Sequence, residues 1–211
     1  MTPLSPYQRT VKAPTGRCTP KLLLVALCIL SLGVSSRALA QHKTQVANID
    51  AYVVEINQFI KQNRKAARIF ADVSGTEEKP NQWREFRNEE EMERARTGDN
   101  LNTIAFVWTR AGKVTGTSFT FTSPSGDWAH LLTYYFREDG SLAKISAQLN
   151  TFYGDLSIIR ELYFDKRGAL LKNTRRYVDL KTKKAKKPGE FFDHSVPMYL
   201  NVQALPFHKL L

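Results

Sequence analysis

Cysteine is scarce in this chain. There are two, Cys18 and Cys28, and both fall in the first 40 of 211 residues. If that segment is removed on export, what is left has no thiol, which excludes disulfides, thiol catalysis and thiolate metal sites. Catalytic signatures are missing as well: there is no Gly-x-Ser-x-Gly elbow, no His-Glu-x-x-His and no phosphate-cradling glycine loop. The four histidines, His42, His130, His194 and His208, include no pair at the i, i+4 spacing of helical metal ligands. Asp193, His194 and Ser195 are triad residue types, but nucleophile, base and orienter usually arrive from separate segments. No apolar run reaches the roughly 20 residues that a membrane-spanning helix needs. No cofactor or metal site is expected, and the reading favours a non-catalytic protein.

The longest apolar run, 22–32, follows Lys21 and precedes Ala38-Leu39-Ala40. A basic flank, a short apolar core and an Ala-x-Ala ending describe a secretory signal peptide, with cleavage expected between Ala40 and Gln41. Leu27 stands before Cys28 where a lipoprotein signal needs a small residue. The signal carries five basic and no acidic side chains, so cleavage would lower the formal net charge from +11 to +6. The mature chain, 41–211, is long enough for one domain with its own core. It is expected in the periplasm or outside the cell. There a moderate positive charge does not point to nucleic acid, and no membrane span is expected in the mature part.

The rest is organised around 98–181, which reads as one unit written three times. Gly98-Asp99, Gly126-Asp127 and Gly154-Asp155 are 28 residues apart, as are Gly112, Gly140 and Gly168. Such a period marks a supersecondary unit that must stack on its neighbours. Two glycine-marked turns per unit suit a hairpin. Alternation agrees: Ile104, Phe106 and Trp108, then Leu132, Tyr134 and Phe136, then Ile158, Leu162 and Phe164, are expected on one sheet face, since 28 is even. The third return strand, 172–180, is highly charged, which suits an edge.

Before the repeats, Val46, Ile49, Val53, Ile56, Ile60, Ala67 and Phe70 recur at helical spacing, predicting an amphipathic helix over 45–70 that covers the apolar sheet face. The stretch 71–97 reads as a connector. It holds a short strand or anchored turn at Trp83 and Phe86, then a short helix over 88–96, with Asn88 as cap and Glu89, Glu90 and Glu91 in its first turn. After the repeats, 182–211 reads as a basic loop and an apolar tail packed back on the domain.

Candidate contact residues are few. His130 and Tyr134 fall on the apolar set of their strand, and Arg160 interrupts that set where the preceding repeat has Leu132. A buried arginine needs a partner, so this face is a candidate ligand site. Lys183, Lys184, Lys186 and Lys187 end a basic stretch from 172 to 187 suited to an anionic surface.

The pieces Tyr135-Phe136-x-x-x-Gly140-x-Leu142-x-Lys144 and Tyr163-Phe164-x-x-x-Gly168-x-Leu170-x-Lys172 resemble the hairpin repeats of MORN-like proteins, with a longer period here. The chain as a whole resembles uncharacterised exported proteins of Gram-negative bacteria that have an N-terminal helix, an antiparallel meander and an ending like Pro206–Leu210. Neither resemblance implies functional residues. The expectation is an α+β domain: an N-terminal helix on a curved antiparallel meander of six to eight strands. It would serve as a non-catalytic envelope protein that binds a protein partner or an apolar, lipid-like ligand, the latter in an open concave face. Two other readings are an inhibitor of a lytic enzyme, presenting the loop 123–127, and a hydrolase using His130 or His194.

Overall fold

A computed structural model describes residues 21–75, 81–99, 101–187 and 195–211; over 21–40 and 97–99 it describes the backbone. The chain divides into two units at Gln41 and His42, and the sheet belongs wholly to the second. Helix α1 (Lys21–Gln62) is followed by strands β1 (Arg68–Asp72) and β2 (Trp83–Phe86), helix α2 (Glu89–Asp99), and strands β3 (Thr103–Arg110), β4 (Lys113–Thr122), β5 (Trp128–Phe136), β6 (Leu142–Thr151), β7 (Leu156–Phe164) and β8 (Leu170–Asp179). The fold is mixed α+β and mostly β. One open, antiparallel, eight-stranded sheet runs in the order β2-β1-β3-β4-β5-β6-β7-β8. β8 is an edge, and its exposed, charged residues fit that position.

The helix predicted over 45–70 ends at Gln62, where the Asn63 side chain donates to the Phe59 carbonyl at 2.9 Å. Ala67 and Phe70 do not extend it, because Ile69-Phe70-Ala71 is a buried strand with both faces covered. A short apolar run of that kind fits either period. The connector likewise holds more sheet than expected: β2 pairs with β1, and β1 pairs with β3. α2 begins at a reciprocal cap. Asn88 accepts from the Glu91 N–H at 2.8 Å, and Glu91 accepts from the Arg87 N–H at 3.0 Å. Gly98-Asp99, expected to open the first repeat, closes this helix instead.

Each later strand pair is a hairpin, but the first differs in its turn. Ala111 and Gly112, with φ of 50° and 74°, form a two-residue loop between paired Arg110 and Lys113. In the second and third hairpins the loops hold three residues, closed by Arg137 N–H donating to Ser141 O and Asp165 N–H donating to Ala169 O. The missing residue shifts the incoming strand by one position, and a shift of one reverses every side chain. Ile104 and Phe106 therefore face away from Leu132 and Tyr134. Ala105 and Val107 take the shared face instead, through the register Ala105–Phe119–Leu132. The return strands stay in phase. Each carries one extra residue opposite its partner, at Thr115, Ala143 and Leu171.

The two faces are covered by different segments. α1 does not cover the face that carries Leu132, Tyr134, Phe136, Leu162 and Phe164, as the sequence led us to expect. The C-terminal tail does, through Val196, Leu205 and Phe207. Phe207 stacks on Phe70 with ring centres 4.5 Å apart, and Tyr199 lies 5.4 Å from Tyr134. Arg68 anchors the tail: it pairs with Glu85 and donates to the Leu210 and Leu211 carbonyls. α1 lies on the opposite face, where Ile49, Val53 and Ile56 pack on Tyr135, Ala143 and Tyr163. α2 covers that same face beside β1 and β2, through Met92, Phe86, Ile69 and Ile104.

Candidate functional site

The register puts His130, Tyr134 and Arg160 on the tail-covered face. His130 and Tyr134 stand on β5, and Arg160 stands on β7 with β6 between. His130 is buried beside Phe121, with ring centres 6.4 Å apart. Tyr134 is fully buried and donates to the Pro197 carbonyl at 2.8 Å. Its burial pushes the phenol pKa far up, so the hydroxyl stays protonated and acts as a tie for the tail. Arg160 is half-buried opposite Arg175 on β8. Its Nε is buried with no hydrogen-bond partner among the described residues. This is the face on which Val196, Leu205 and Phe207 of the tail pack.

The other histidines sit on separate elements. His42 Nε2 lies 2.7 Å from the Leu171 carbonyl, and His208 Nδ1 lies 3.2 Å from that of Leu205. His194 lies outside the described residues, as do Glu190 and Asp193. Among the described residues no group of three His, Cys, Asp or Glu side chains could hold a metal ion. No helix there is long and apolar enough to cross a membrane.

The α1-covered face holds a polar cluster that sequence reasoning missed. Lys144 is 8% exposed. Its ammonium lies 2.7 Å from Glu161 and 3.3 Å from Asp50, and 4.5 Å from the Tyr163 ring centre. Tyr163 donates to the same Asp50 oxygen at 2.8 Å, and Tyr135 donates to Asn57 at 2.9 Å. Burial alone would lower the Lys144 pKa. The hydrogen bonds to Glu161 and Tyr163, and the Glu161 charge, more than offset it, and the ammonium is held above its usual range. The cluster joins α1 to β6 and β7 and satisfies itself. The visible signal was only the recurrence of Lys144 and Lys172 28 residues apart; the bulges at Ala143 and Leu171, which turn these lysines to the helix-covered face, show only in the register.

Cavities lie at the rims. One of about 200 Å3 sits between α2 and the β3–β4 pair, one of about 320 Å3 beside α1 at Tyr52 and Arg137, and one of about 330 Å3 between the first two hairpin turns and the C-terminus. The larger two reach only the lower end of the roughly 300–1,000 Å3 that small-molecule sites occupy.

The remaining predicted contacts, Lys183, Lys184, Lys186 and Lys187, follow β8 at the opposite end of the sheet from α1. They are remote in register from Tyr134. Asp179 organises the loop: its carboxylate accepts from the Thr182 N–H at 2.7 Å, the Thr182 hydroxyl at 2.9 Å and the Lys181 N–H at 3.1 Å. Those donors, the Thr182 backbone first, hold its pKa down at about 2. Lys186 bonds the Gly154 carbonyl and lies 3.4 Å from Asp179, joining this loop to the β6–β7 turn. At that turn Phe152 and Tyr153 are 66% and 73% exposed. Sequence reasoning passed over these two aromatics, because a turn next to Gly154 gave them no periodicity to break.

Compared with known proteins, the chain matches no family model, no curated protein and no solved structure.

Proposed function

We propose that this chain is an exported, non-catalytic binding protein of the bacterial envelope, which engages its partner through its outer surface. The observation that carries the reading is the contrast between interior and exterior. The buried Lys144 and Tyr134, with the half-buried Glu161, are spent on tying α1 and the tail to the sheet. Exposed lysines and two bare aromatics lie outside at one end, where Lys181, Lys183 and Lys186 also brace their own turn and loop.

Export rests on the sequence: the basic flank, the short apolar run 22–32 and Ala38-Leu39-Ala40 before the expected cleavage point. α1 continues unbroken through that point, so cleavage would leave its 41–62 part on the sheet. The spacing of the bulged residues Thr115, Ala143 and Leu171, 28 residues apart, supports descent of the three hairpins from one repeated unit.

The test is native mass spectrometry of protein purified from the envelope. The expected result is a chain starting at Gln41 that retains a protein or lipid partner. A full-length chain confined to the cytoplasm would overturn the reading, and so would hydrolytic turnover lost on His130→Ala.

A further inference from the structure

We propose that the end of the sheet formed by the turn 152–155 and the loop 180–187 docks on the surface of an anionic lipid bilayer. This rests on the export reading above and names the partner of that surface. Phe152 and Tyr153 are adjacent, project from a turn, and are among the most exposed large apolar side chains described. Aromatic side chains gather at membrane–water interfaces, where one end is apolar and the other wet.

The tip is braced before anything binds. Gly154 and Asp155 take φ of 66° and 47°. The Tyr153 N–H donates to Thr151 Oγ1 at 3.1 Å, and the Phe152 N–H donates to the Asp127 carbonyl at 3.1 Å. The Leu180 N–H donates to the Asp155 carbonyl at 2.8 Å, and the Lys186 ammonium bridges Gly154 and Asp155 carbonyls. A braced tip loses little freedom on insertion.

The charge around it is predominantly positive, four exposed lysines against the exposed Asp127 and the half-exposed Asp155. Lys181, Lys183, Lys184 and Lys187 are exposed. Of the nearby acids, Asp155 is paired with Lys181 at 3.5 Å, and Asp179 is turned inward onto its own loop and Lys186. Asp127, on the neighbouring turn, accepts from the Ser125 hydroxyl at 2.6 Å. Each lysine held close to an anionic leaflet strengthens association by about fivefold. Lysine is depleted in protein–protein interfaces, whose aromatic anchors sit in pockets sealed by other contacts. A protruding aromatic tip flanked on one side by lysines is instead the arrangement that seats aromatics among acyl chains and ammonium groups among phosphates.

The experiment uses the full chain with Phe152→Trp, corrected for the three native tryptophans by the unsubstituted chain. Vesicles are pure phosphatidylcholine, or about one third phosphatidylglycerol in phosphatidylcholine, with brominated acyl chains. The expected result is quenching of the residue-152 fluorescence on the phosphatidylglycerol vesicles. Lys183→Glu with Lys184→Glu should weaken it by about tenfold or more, with the circular dichroism unchanged. The apolar segment 22–32 could bring the chain to any vesicle, but only insertion of the tip quenches position 152. Vesicle binding with that position unquenched, or quenching indifferent to phosphatidylglycerol and to charge reversal, would overturn the inference. A retained protein partner without quenching would overturn it while leaving the binding-protein reading standing. A chain that is not exported would remove both.

Discussion

Gly116 and Ile60 meet where α1 crosses β4: a Cβ added at Gly116 would lie 2.9 Å from Ile60 Cδ1 and 3.7 Å from Ile56 Cγ2. The absence of a side chain on the strand lets the helix settle against the sheet. Gly116→Ala is expected to be mild, since the end of the Ile60 side chain can move. Gly116→Val has no such escape and should lift the last turns of α1, destabilising the fold by about 1–3 kcal/mol. Urea unfolding checks the energy, and hydrogen exchange over 50–62 checks the place. Unchanged exchange there would contradict the packing described.

Lys144 and Glu161 predict an asymmetric pair of variants. Glu161→Leu leaves a buried ammonium with only Asp50 as counter-charge and should destabilise by about 2–3 kcal/mol. Lys144→Met fills the same space without a charge, while its two partners keep partial access to water at 28% and 48% side-chain exposure. It should cost less than about 1 kcal/mol. Equal losses in thermal or denaturant unfolding would refute this account of the cluster.

Arg160 interrupts an apolar face and has a buried Nε with no partner among the described residues. Arg160→Leu is expected to raise stability by roughly 1 kcal/mol, seen as a higher Tm. A clear fall in Tm would mean that the guanidinium is held by a structural partner.

Asp179 offers a pH test. Its folded pKa, about 2, lies below the usual carboxylate value, so the charged form favours the folded loop. That contribution is complete above the ordinary aspartate pKa, near 3.9, and fades as the pH falls towards the folded value. NMR titration should place the Asp179 carboxyl midpoint near 2, with the Thr182 amide shifting together with it. Asp179→Asn should remove that shift and loosen 180–187. A midpoint near 3.9 would show the loop bonds to be absent in solution.

Glycine spacing and alternation made the hairpins legible, because both are local. Gly112, Gly126, Gly140, Gly154 and Gly168 all adopt positive φ. The facing of the first hairpin was not legible. Whether Ala111-Gly112 closes two residues or three cannot be read from a glycine alone, yet that one residue decides whether Ile104 or Ala105 shares a face with Leu132. The candidate contacts divide in the same way. The basic run 181–187 was visible as composition. Its meeting with Phe152 and Tyr153 was not, since Lys186 and Gly154 are 32 positions apart in sequence and joined only by the β7–β8 pairing.

By itself, the order of residues determined where strands turn, where α2 begins and which stretches are apolar, since those follow from backbone sterics and periodicity within a few neighbours, whereas α1 starts at Lys21 and not at the expected 45. Only the tertiary structure decided which segment covers which side of the sheet. Both faces of β1 and of the hairpins offer apolar area, so helix and tail each had a surface to bury. The choice between them rests on long-range fits no local pattern contains: the bare Gly116 under Ile60, Lys144 beneath Asp50, and Phe207 stacked on Phe70.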